Sequence, residues 1–327
     1  MNEYYHTIKQ QLNQLEKYNI NQYYIENKFP DFAWSFIMKN VVSPFLKDDK
    51  PNGLEICKLF EALGYASEDG GLNFAIGAHS LAAAIPFIIY ASEEQKEKYL
   101  SKITTGKLIC ANAITETEAG SDIFSMFTKA IKKDKIYKLS GTKTFCSNIK
   151  EADLVIVYAV TNKEKGAHGG ISSFILEKEE FSVGQTYSKM GLRTCSIGEV
   201  LLDNIEINEN SLLGHEGAGM GVFTSAMDWE RIGLSAIYIG TMQRLFEQSL
   251  AYTKARKQGG VNIGKHQAIS HKIAEMKTLI HSCRLMVLDA SKELGIERSV
   301  SEKASMCKYF VSETYVKICE MAMQIHG

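Results

Sequence analysis

The sequence lacks the common signatures of nucleotide, metal and acyl-enzyme sites. It contains no P-loop and no G-x-G-x-x-G fingerprint, so neither a Walker-type site nor a standard Rossmann half is indicated. The eight histidines show no H-E-x-x-H or comparable spacing, and we expect no metal site. There is also no G-x-S-x-G nucleophile elbow. Generic motifs therefore indicate only a soluble protein with helices and strands.

The sequence also has little net charge and no closely spaced pair of cysteines. A net charge of −1 gives no reason to expect a nucleic-acid or anionic-membrane partner. The seven cysteines are an odd number without a C-x-x-C pair, which is typical of reduced thiols and predicts a cytoplasmic protein. The first residues, MNEYYHTIKQQLNQL, are polar and have no apolar h-region, so no secretory signal is expected.

One apolar segment, residues 74–91, is about as long as the shortest membrane-spanning helix. It contains His79, Ser80 and Pro86, and no basic anchor precedes it. Proline removes a helix hydrogen bond and restricts the residue before it. We therefore expect two buried helical pieces broken near Pro86, and no membrane span.

The hydrophobic period changes twice along the chain and predicts an α+β protein of three domains. Residues 1–112 indicate an N-terminal helical domain, in which Ser92 and Gln95 have capping-box spacing. Residues 113–210 contain short strand patterns and predict a middle antiparallel β-barrel or sandwich domain. Residues 211–327 predict a C-terminal helical bundle. The predicted strands of the middle domain include IYKLSG, ADLVIVYAV, ISSFILE and GEVLLDNIEI.

The stretch AMDWERIGLSA, residues 226–236, places Glu230 on the apolar side of a predicted helix. Positions three and four residues from it are Ala226, Met227, Gly233, Leu234 and, one turn further, Ile237. A carboxylate on an apolar face is costly to ionise, and burial raises its pKa toward the range of a general base. The pattern leaves two interpretations open, a general base and the commoner structural carboxylate bonded to backbone or arginine.

A second stretch, ITETEAGSD at residues 114–122, lies where the helical pattern gives way to strands. Thr115, Gly120 and Ser121 offer hydroxyls and unobstructed backbone that could hold a phosphate or bond a heterocycle. A cluster of such residues is more often an ordinary turn.

ITETEAGSD resembles the TEPGAGSD signature of the acyl-CoA dehydrogenase flavoprotein family. Further blocks similar to that family follow in the family's order, over nearly the whole chain. They are GTKTFCSN, ADLVIVYAV, KMGLRTCSIGEVLLDNIEI, LLGHEGAGM, MDWERIGLSA, YTKARKQ, HQAISHKIAEM and QIHG. The family's helical, β and helical domains agree with the three patterns above.

The resemblance implies FAD as the cofactor. Thr115 would bond the flavin ring, and Gly120 and Ser121 would lie by the pyrophosphate, with Ser121 also close to substrate. Phe145 stands where the family usually has tryptophan packed on the flavin. Ser147 stands where it has threonine near flavin N5.

Three more residues match positions that hold the FAD diphosphate and adenosine, partly from a neighbouring subunit of the family's tetramer. They are Arg256, Gln267 and Gln324. The family's R-K-x-F-G motif is here Arg256–Gly260 without its aromatic residue. We expect a homo-oligomer, dimer or tetramer.

The resemblance also gives Glu230 a role. Most members carry the catalytic glutamate in an E-G-T segment after QIHG, and the printed chain ends at Gly327 with an apparently truncated bundle. A branch that includes isovaleryl- and long-chain-type enzymes places the base within D-x-E-R, which Asp228–Arg231 matches. Glu230 then falls on the base, and Asp228 and Arg231 match residues that help hold the substrate.

These matches imply α,β-dehydrogenation of an acyl thioester, with Glu230 taking the α-proton and flavin N5 the β-hydride. Electrons would pass to an electron-transfer flavoprotein. The thioester could be on coenzyme A or on an acyl-carrier protein; the divergent GSD block, Phe145 and the short loop at residues 42–50 favour keeping the latter. Two alternatives are a flavin oxidase or monooxygenase of the same fold and a non-catalytic truncated paralogue.

Overall fold

The computed structural model describes residues 2–15, 19–46, 50–296 and 300–327. Part of the short loop at 42–50, residues 47–49, lies outside the described residues. The helices are α1 Asn2–Leu12, α2 Ile20–Glu26, α3 Asp31–Ile37, α4 Gly53–Ala66, α5 Gly70–His79, α6 Ile85–Tyr90, α7 Glu93–Gln95, α8 Ser101–Thr104, α9 Ala167–Gly170, α10 Gly219–Ala255, α11 Gln267–Ser291 and α12 Ser301–His326. The strands are β1 Cys110–Ala113, β2 Lys129–Lys133, β3 Ile136–Ser147, β4 Leu154–Val160, β5 Ile171–Glu177, β6 Ser182–Thr186, β7 Ile197–Asn208, β8 Lys257–Gln258 and β9 Val261–Asn262.

Inter-residue contacts divide the chain into two compact units, each of which combines separate stretches of sequence. One unit contains Met1–Lys17, Asn52–Glu68 and Arg231–Gly327. The other contains Tyr18–Pro51 and Asp69–Glu230. We call the first the bundle unit and the second the sheet unit. The long helix α10 begins in the sheet unit and continues into the bundle unit.

The bundle unit is helical and is held together by buried polar groups as well as by apolar packing. Glu61 of α4 and Arg284 of α11 form an ion pair of 2.8 Å, with Glu61 only 3 % exposed. Arg284 also donates to Gln243 of α10. Removing either partner of a buried ion pair is costly, because the other charge is left buried and unpaired.

The sheet unit contains a seven-stranded sheet in the order β1-β4-β2-β3-β7-β6, with β5 also paired to β4. The pairing is antiparallel except that β1 and β2 run parallel to β4. The four predicted strands are present as β3, β4, β5 and β7, but the sheet predicted to be antiparallel is mixed, because β1 and β2 both pair parallel with β4. Its inner face carries the buried side chains Tyr137, Val155, Phe174 and Val200 among others.

The apolar segment predicted as two broken helices is a continuous helical run. A π-helical turn, Ser80–Ala84, joins α5 to α6, and Pro86 stands in the first turn of α6. Pro86 has no N–H to donate, and the wider turn before it lets the helix continue without that hydrogen bond. Gly70–Tyr90 is the helix among the described residues that is long and apolar enough to cross a membrane, and 89% of its apolar window is buried within the protein, as in a core helix.

Helix α5 is fixed at both ends by side chains. Asp69 accepts a hydrogen bond from the Leu72 amide at 3.0 Å and caps its start. His79 at its end accepts from the Cys110 amide and donates to the Ile103 carbonyl, each at 3.0 Å. The hydrogen bond from the Cys110 amide to His79 connects the end of α5 to the start of β1. The predicted capping box of Ser92 and Gln95 is also present.

Candidate active site

A cavity of about 240 Å³ lies within the sheet unit. Four parts of that unit supply its walls: the α5 region with its π turn, β1 and the loop after it, β3, and the first turns of α10. The lining residues are Ala78, Ala82, Ala111, Asn112, Ile114, Thr115, Gly120, Ile123, Phe145, Ser147, Phe223, Met227 and Glu230. Small alanine side chains on one wall leave the space that the aromatic, hydroxyl and carboxylate groups face.

Five of the residues singled out in the sequence line this one cavity: Thr115, Gly120, Phe145, Ser147 and Glu230. They come from positions up to 115 residues apart in the sequence. The sequence interpretation of ITETEAGSD as more than an ordinary turn is consistent with this placement. Ser121, which follows Gly120, is exposed.

Phe145 faces the cavity because β3 is irregular at that point. The register between β3 and β7 shifts between Lys143 and Cys146, and Phe145 has a φ of 55°. A β-bulge changes the direction in which a side chain points. A positive φ is rare for a bulky residue in proteins. The Phe145 ring is 61% exposed and lies 5.2 Å from the ring of Tyr187, centroid to centroid. The strained backbone therefore presents an aromatic face to the cavity.

The loop that carries Thr115 is held to β3 by a buried ion pair. Lys143 donates to Glu116 at 2.8 Å and to the Ile114 carbonyl at 3.0 Å. Glu116 also accepts the backbone N–H groups of Phe127 and Thr128. Burial lowers the pKa of Lys143 to about 8, while Lys143 and the hydrogen bonds hold the pKa of Glu116 below its usual value against the opposing effect of burial.

Glu230 shares one face of α10 with Phe223 and Met227, at spacings of seven and three residues. The helical periodicity predicted Met227 as its neighbour, and both line the cavity. Glu230 is half-buried. Burial raises the pKa of the nearby Tyr158 hydroxyl, and the charge of Glu230 adds to that rise, so Tyr158 stays protonated. The carboxylate thus stands beside apolar side chains at the edge of the cavity.

The two other predicted substrate residues are placed differently. Asp228 is buried, at 7 % exposure, and Arg231 belongs to the bundle unit, where it donates to Ser305 at 3.2 Å. Neither is among the described residues that line the cavity. The structure brings Glu230 to the cavity without them.

The three residues expected at the FAD diphosphate and adenosine are exposed and lie in the bundle unit. Arg256 follows the last residue of α10 and precedes the β8–β9 hairpin. Gln267 begins α11, and Gln324 lies in the last turn of α12. Exposed side chains at helix ends are accessible to a ligand or to a second copy of the chain.

Sequence reasoning missed Asn112, Tyr158 and the Lys143–Glu116 pair. Lysine and glutamate in strand and loop patterns are ordinarily exposed, so composition gave no signal that these two are buried together. Asn112 interrupts the otherwise small, apolar stretch CANA of β1. A polar residue within a buried strand was the one available signal.

The residues of the cavity fit a flat heterocycle with polar edges. Thr115 and Ser147 supply hydroxyls, and Phe145 supplies an aromatic face. A Cβ added at Gly120 would meet no atom within 4 Å, so its backbone is open to a ligand. Such a donor set beside a carboxylate fits a flavin-dependent oxidoreductase site.

Comparison with known proteins gives the family. Residues 52–107, 111–205 and 217–327 match the N-terminal, middle and C-terminal domains of acyl-CoA dehydrogenase. An L-prolyl-[peptidyl-carrier protein] dehydrogenase of a Serratia species is 39% identical over 276 residues, 84% of this chain and 71% of the relative. The chain therefore belongs to the acyl-CoA dehydrogenase family.

Two solved structures support the same conclusion. The prolyl acyl carrier protein oxidase AnaB has a TM-score of 0.94 and 33% identity, covering 99% of this chain and 88% of its own. PigA with FAD and proline has a TM-score of 0.93 and 32% identity, covering 100% of this chain and 87% of its own. The predicted family, fold class and FAD cofactor are confirmed, and the protein is an oxidoreductase that acts on the CH–CH group of an acyl thioester.

Proposed function

We propose that the protein dehydrogenates an acyl group carried as a thioester on a carrier protein, with Glu230 as the catalytic base. The observation that supports this most directly is that Glu230 lines the same cavity as Thr115, Phe145 and Ser147. The carrier-protein substrates named for two of the relatives favour that thioester over coenzyme A.

Glu230 takes the proton from the carbon alpha to the thioester carbonyl. Phe223 and Met227 flank it on α10 and shield that side from water. FAD, when bound, supplies the hydride acceptor. We propose that Asp228 and Arg231, adjacent to the base in sequence, help to hold the substrate.

The cofactor residues form the second part of the proposal. Thr115 would bond the flavin ring, Phe145 would pack on it and Ser147 would offer a hydroxyl to its N5 region. Gly120 and Ser121 would hold the pyrophosphate, because open backbone N–H groups suit an anion.

Arg256, Gln267 and Gln324 would hold the diphosphate and adenosine, and their exposure suits a site completed by a second copy of the chain. We accordingly propose a homo-oligomer, dimer or tetramer. We also propose that the chain is divided into three domains, at residues 1–112, 113–210 and 211–327.

We propose a cytoplasmic location, which the seven free thiols favour. We propose an electron-transfer flavoprotein as the acceptor of the electrons.

Anaerobic flavin reduction tests the function. The purified, FAD-loaded protein is mixed without oxygen with prolyl and butyryl thioesters, each on a carrier protein and on coenzyme A. We expect the flavin absorbance to bleach with a carrier-bound thioester. A flavin that stays oxidised with every thioester, while dithionite still reduces it, contradicts the proposed function.

An oxidase is the second candidate, because one structural relative is named as an oxidase. Once the flavin has been reduced, its reoxidation is followed with air and with an electron-transfer flavoprotein. Reoxidation that is much faster with the flavoprotein supports the dehydrogenase. Faster reoxidation by air supports the oxidase.

A further inference from the structure

Two polar side chains on neighbouring strands lie at one wall of the cavity, Asn112 in its lining and Tyr158 behind the lining residue Phe223. Asn112 of β1 is paired with Ile156 of β4, and Tyr158 lies two residues further along β4. Because side chains alternate along a strand, Asn112 and Tyr158 are on the same face of the sheet. Asn112 lines the cavity, and the Tyr158 ring packs edge-on against Phe223, which also lines it.

The orientation of the Asn112 amide follows from its one partner. Its Nδ2 donates to the Ala82 carbonyl at 2.7 Å. A carbonyl only accepts, so the nitrogen must face Ala82 and the amide cannot be turned over without losing that bond. Oδ1 is therefore the atom that points away from Ala82.

Neither the Asn112 Oδ1 nor the Tyr158 hydroxyl has a hydrogen-bond partner among the described residues, and both atoms are buried. The Asn112 side chain is near enough to lower the pKa of Tyr158 against the larger effect of burial, yet no well-formed hydrogen bond joins the two. A buried polar atom left unpaired costs roughly 1–3 kcal/mol. Two such atoms beside one cavity indicate a ligand that supplies the missing partners.

The electrostatics of the site indicate what kind of partner fits. Asn112 Oδ1 only accepts hydrogen bonds, and the Tyr158 oxygen can accept one. The charge of Glu230 is felt at Tyr158, so a cation is favoured there over an anion. A secondary ammonium group offers two N–H donors and a positive charge, which meets all three requirements.

We propose that Asn112 and Tyr158 form a polar subsite that binds the amino group of an aminoacyl thioester. The proposal rests on the function proposed above and narrows its substrate from acyl groups in general to those with an amine beside the thioester. A hydrocarbon acyl group of the same shape would leave both buried atoms unpaired. A site built to hydrogen-bond a substrate N–H rejects the analogue that lacks it by a large factor.

Prolyl and cyclopentanecarbonyl thioesters test the subsite, because their rings differ only in N–H against CH₂. Both are presented on N-acetylcysteamine to the FAD-loaded protein without oxygen, and kcat/KM for flavin reduction is measured. We expect the prolyl thioester to be preferred by roughly 100-fold or more. Asn112→Leu and Tyr158→Phe should each lower that preference at least tenfold by slowing the prolyl reaction alone.

Controls separate the subsite from a folding defect. Each variant must keep the flavin content and visible spectrum of the parent, and Tyr158→Phe keeps the shape of the buried ring if Asn112→Leu does not fold. Tyr309→Phe, at an exposed position, should change nothing.

Three results overturn the inference in distinguishable ways. If the parent protein reduces its flavin as fast with the cyclopentanecarbonyl thioester, or if both variants keep the preference, the subsite is refuted while the proposed function stands. If neither ring thioester reduces the flavin but the carrier-bound butyryl thioester does, the subsite is refuted and the proposed function stands. If no thioester reduces it, the butyryl thioester included, both proposals fail.

Discussion

The ammonium group of Lys143 lies 2.8 Å from the carboxylate of Glu116, and the Lys143 side chain is fully buried. This contact joins β3 to the loop that carries Thr115. The Thr115 carbonyl in turn accepts the amide of Thr144 at 2.8 Å. Glu116 also accepts hydrogen bonds from the amides of Phe127 and Thr128 at the far end of the loop. The pair therefore fixes the loop from which Thr115 lines the cavity.

Replacing Lys143 by methionine should destabilise the protein and weaken FAD binding together. The change leaves the buried Glu116 carboxylate unpaired, which costs about 3–5 kcal/mol. Urea unfolding of the FAD-free protein gives the stability, and fluorescence titration gives the FAD affinity. Lys143→Met with Glu116→Gln should recover part of the loss, since no unpaired charge remains.

The matched control is Lys129→Met, on the exposed side of β2. It should change stability by less than about 0.5 kcal/mol. Our interpretation of the pair is wrong if Lys143→Met unfolds at the same urea concentration as Lys129→Met and retains the same FAD affinity.

His79 should make the protein acid-sensitive. Burial lowers its pKa from 6.5 to about 4 in the folded protein, and its bonds to Ile103 and Cys110 only partly oppose this. The unfolded chain binds a proton at His79 below pH 6.5 and the folded protein does not, so stability falls as pH drops from 6.5 to about 4 and then levels. The His79 contribution to that fall is about 3 kcal/mol.

Urea unfolding over this pH range checks the contribution of His79. His79→Gln should be less stable than the parent at neutral pH, because its two hydrogen bonds change, but the gap should narrow as the pH falls. His271→Gln, at an exposed position, should follow the parent throughout. If the unfolding free energies of the parent and His79→Gln change in parallel with pH, His79 is not the source of the acid sensitivity.

Replacing Phe145 should affect the stability of the FAD-free protein through its backbone and the FAD affinity through its ring. Its φ of 55° is costly for any residue with a Cβ, by about 1 kcal/mol. Phe145→Gly should therefore make the FAD-free protein more stable than Phe145→Ala. Both variants lose the ring, so both should bind FAD roughly fivefold to tenfold more weakly.

Phe145→Trp is the companion variant, because it keeps an aromatic face on the same backbone. Its FAD affinity should stay within about twofold of the parent. Equal stability of the glycine and alanine variants would contradict the strain, and unchanged FAD affinity in both would contradict the stacking role.

Hydrophobic patterns alone located several elements of the sheet unit. The strands around ADLVIVYAV and ISSFILE, which are buried along nearly their whole length, and the helix that carries Glu230 occur where the patterns predicted them, because apolar runs and helical periodicity report burial. Helical spacing also predicted Met227 beside Glu230. The residue types of ITETEAGSD had already singled out Thr115 and Gly120. The resemblance in motif order then supplied Phe145 and Ser147, which no periodicity could have brought together with them.

Features that depend on pairing between distant segments could not be predicted. β1 runs parallel to β4, about forty residues away, and only that register places Asn112 beside Tyr158. The bulge at Phe145 depends on β7 as the partner strand. A π turn at Ser80–Ala84 lets the helix continue where the sequence predicted a break at Pro86. That outcome depends on how the segment packs within the core.

The role of Glu230 is tested most directly by Glu230→Gln. The variant keeps the size and polarity of the side chain but cannot take a proton, so the rate of anaerobic flavin reduction by a carrier-bound thioester should fall roughly 10²- to 10⁴-fold. FAD content and reduction by dithionite should match the parent. Glu164→Gln, at an exposed position of the same unit, should reduce its flavin at the parent's rate. Flavin reduction in Glu230→Gln as fast as in Glu164→Gln would show that Glu230 is not the base.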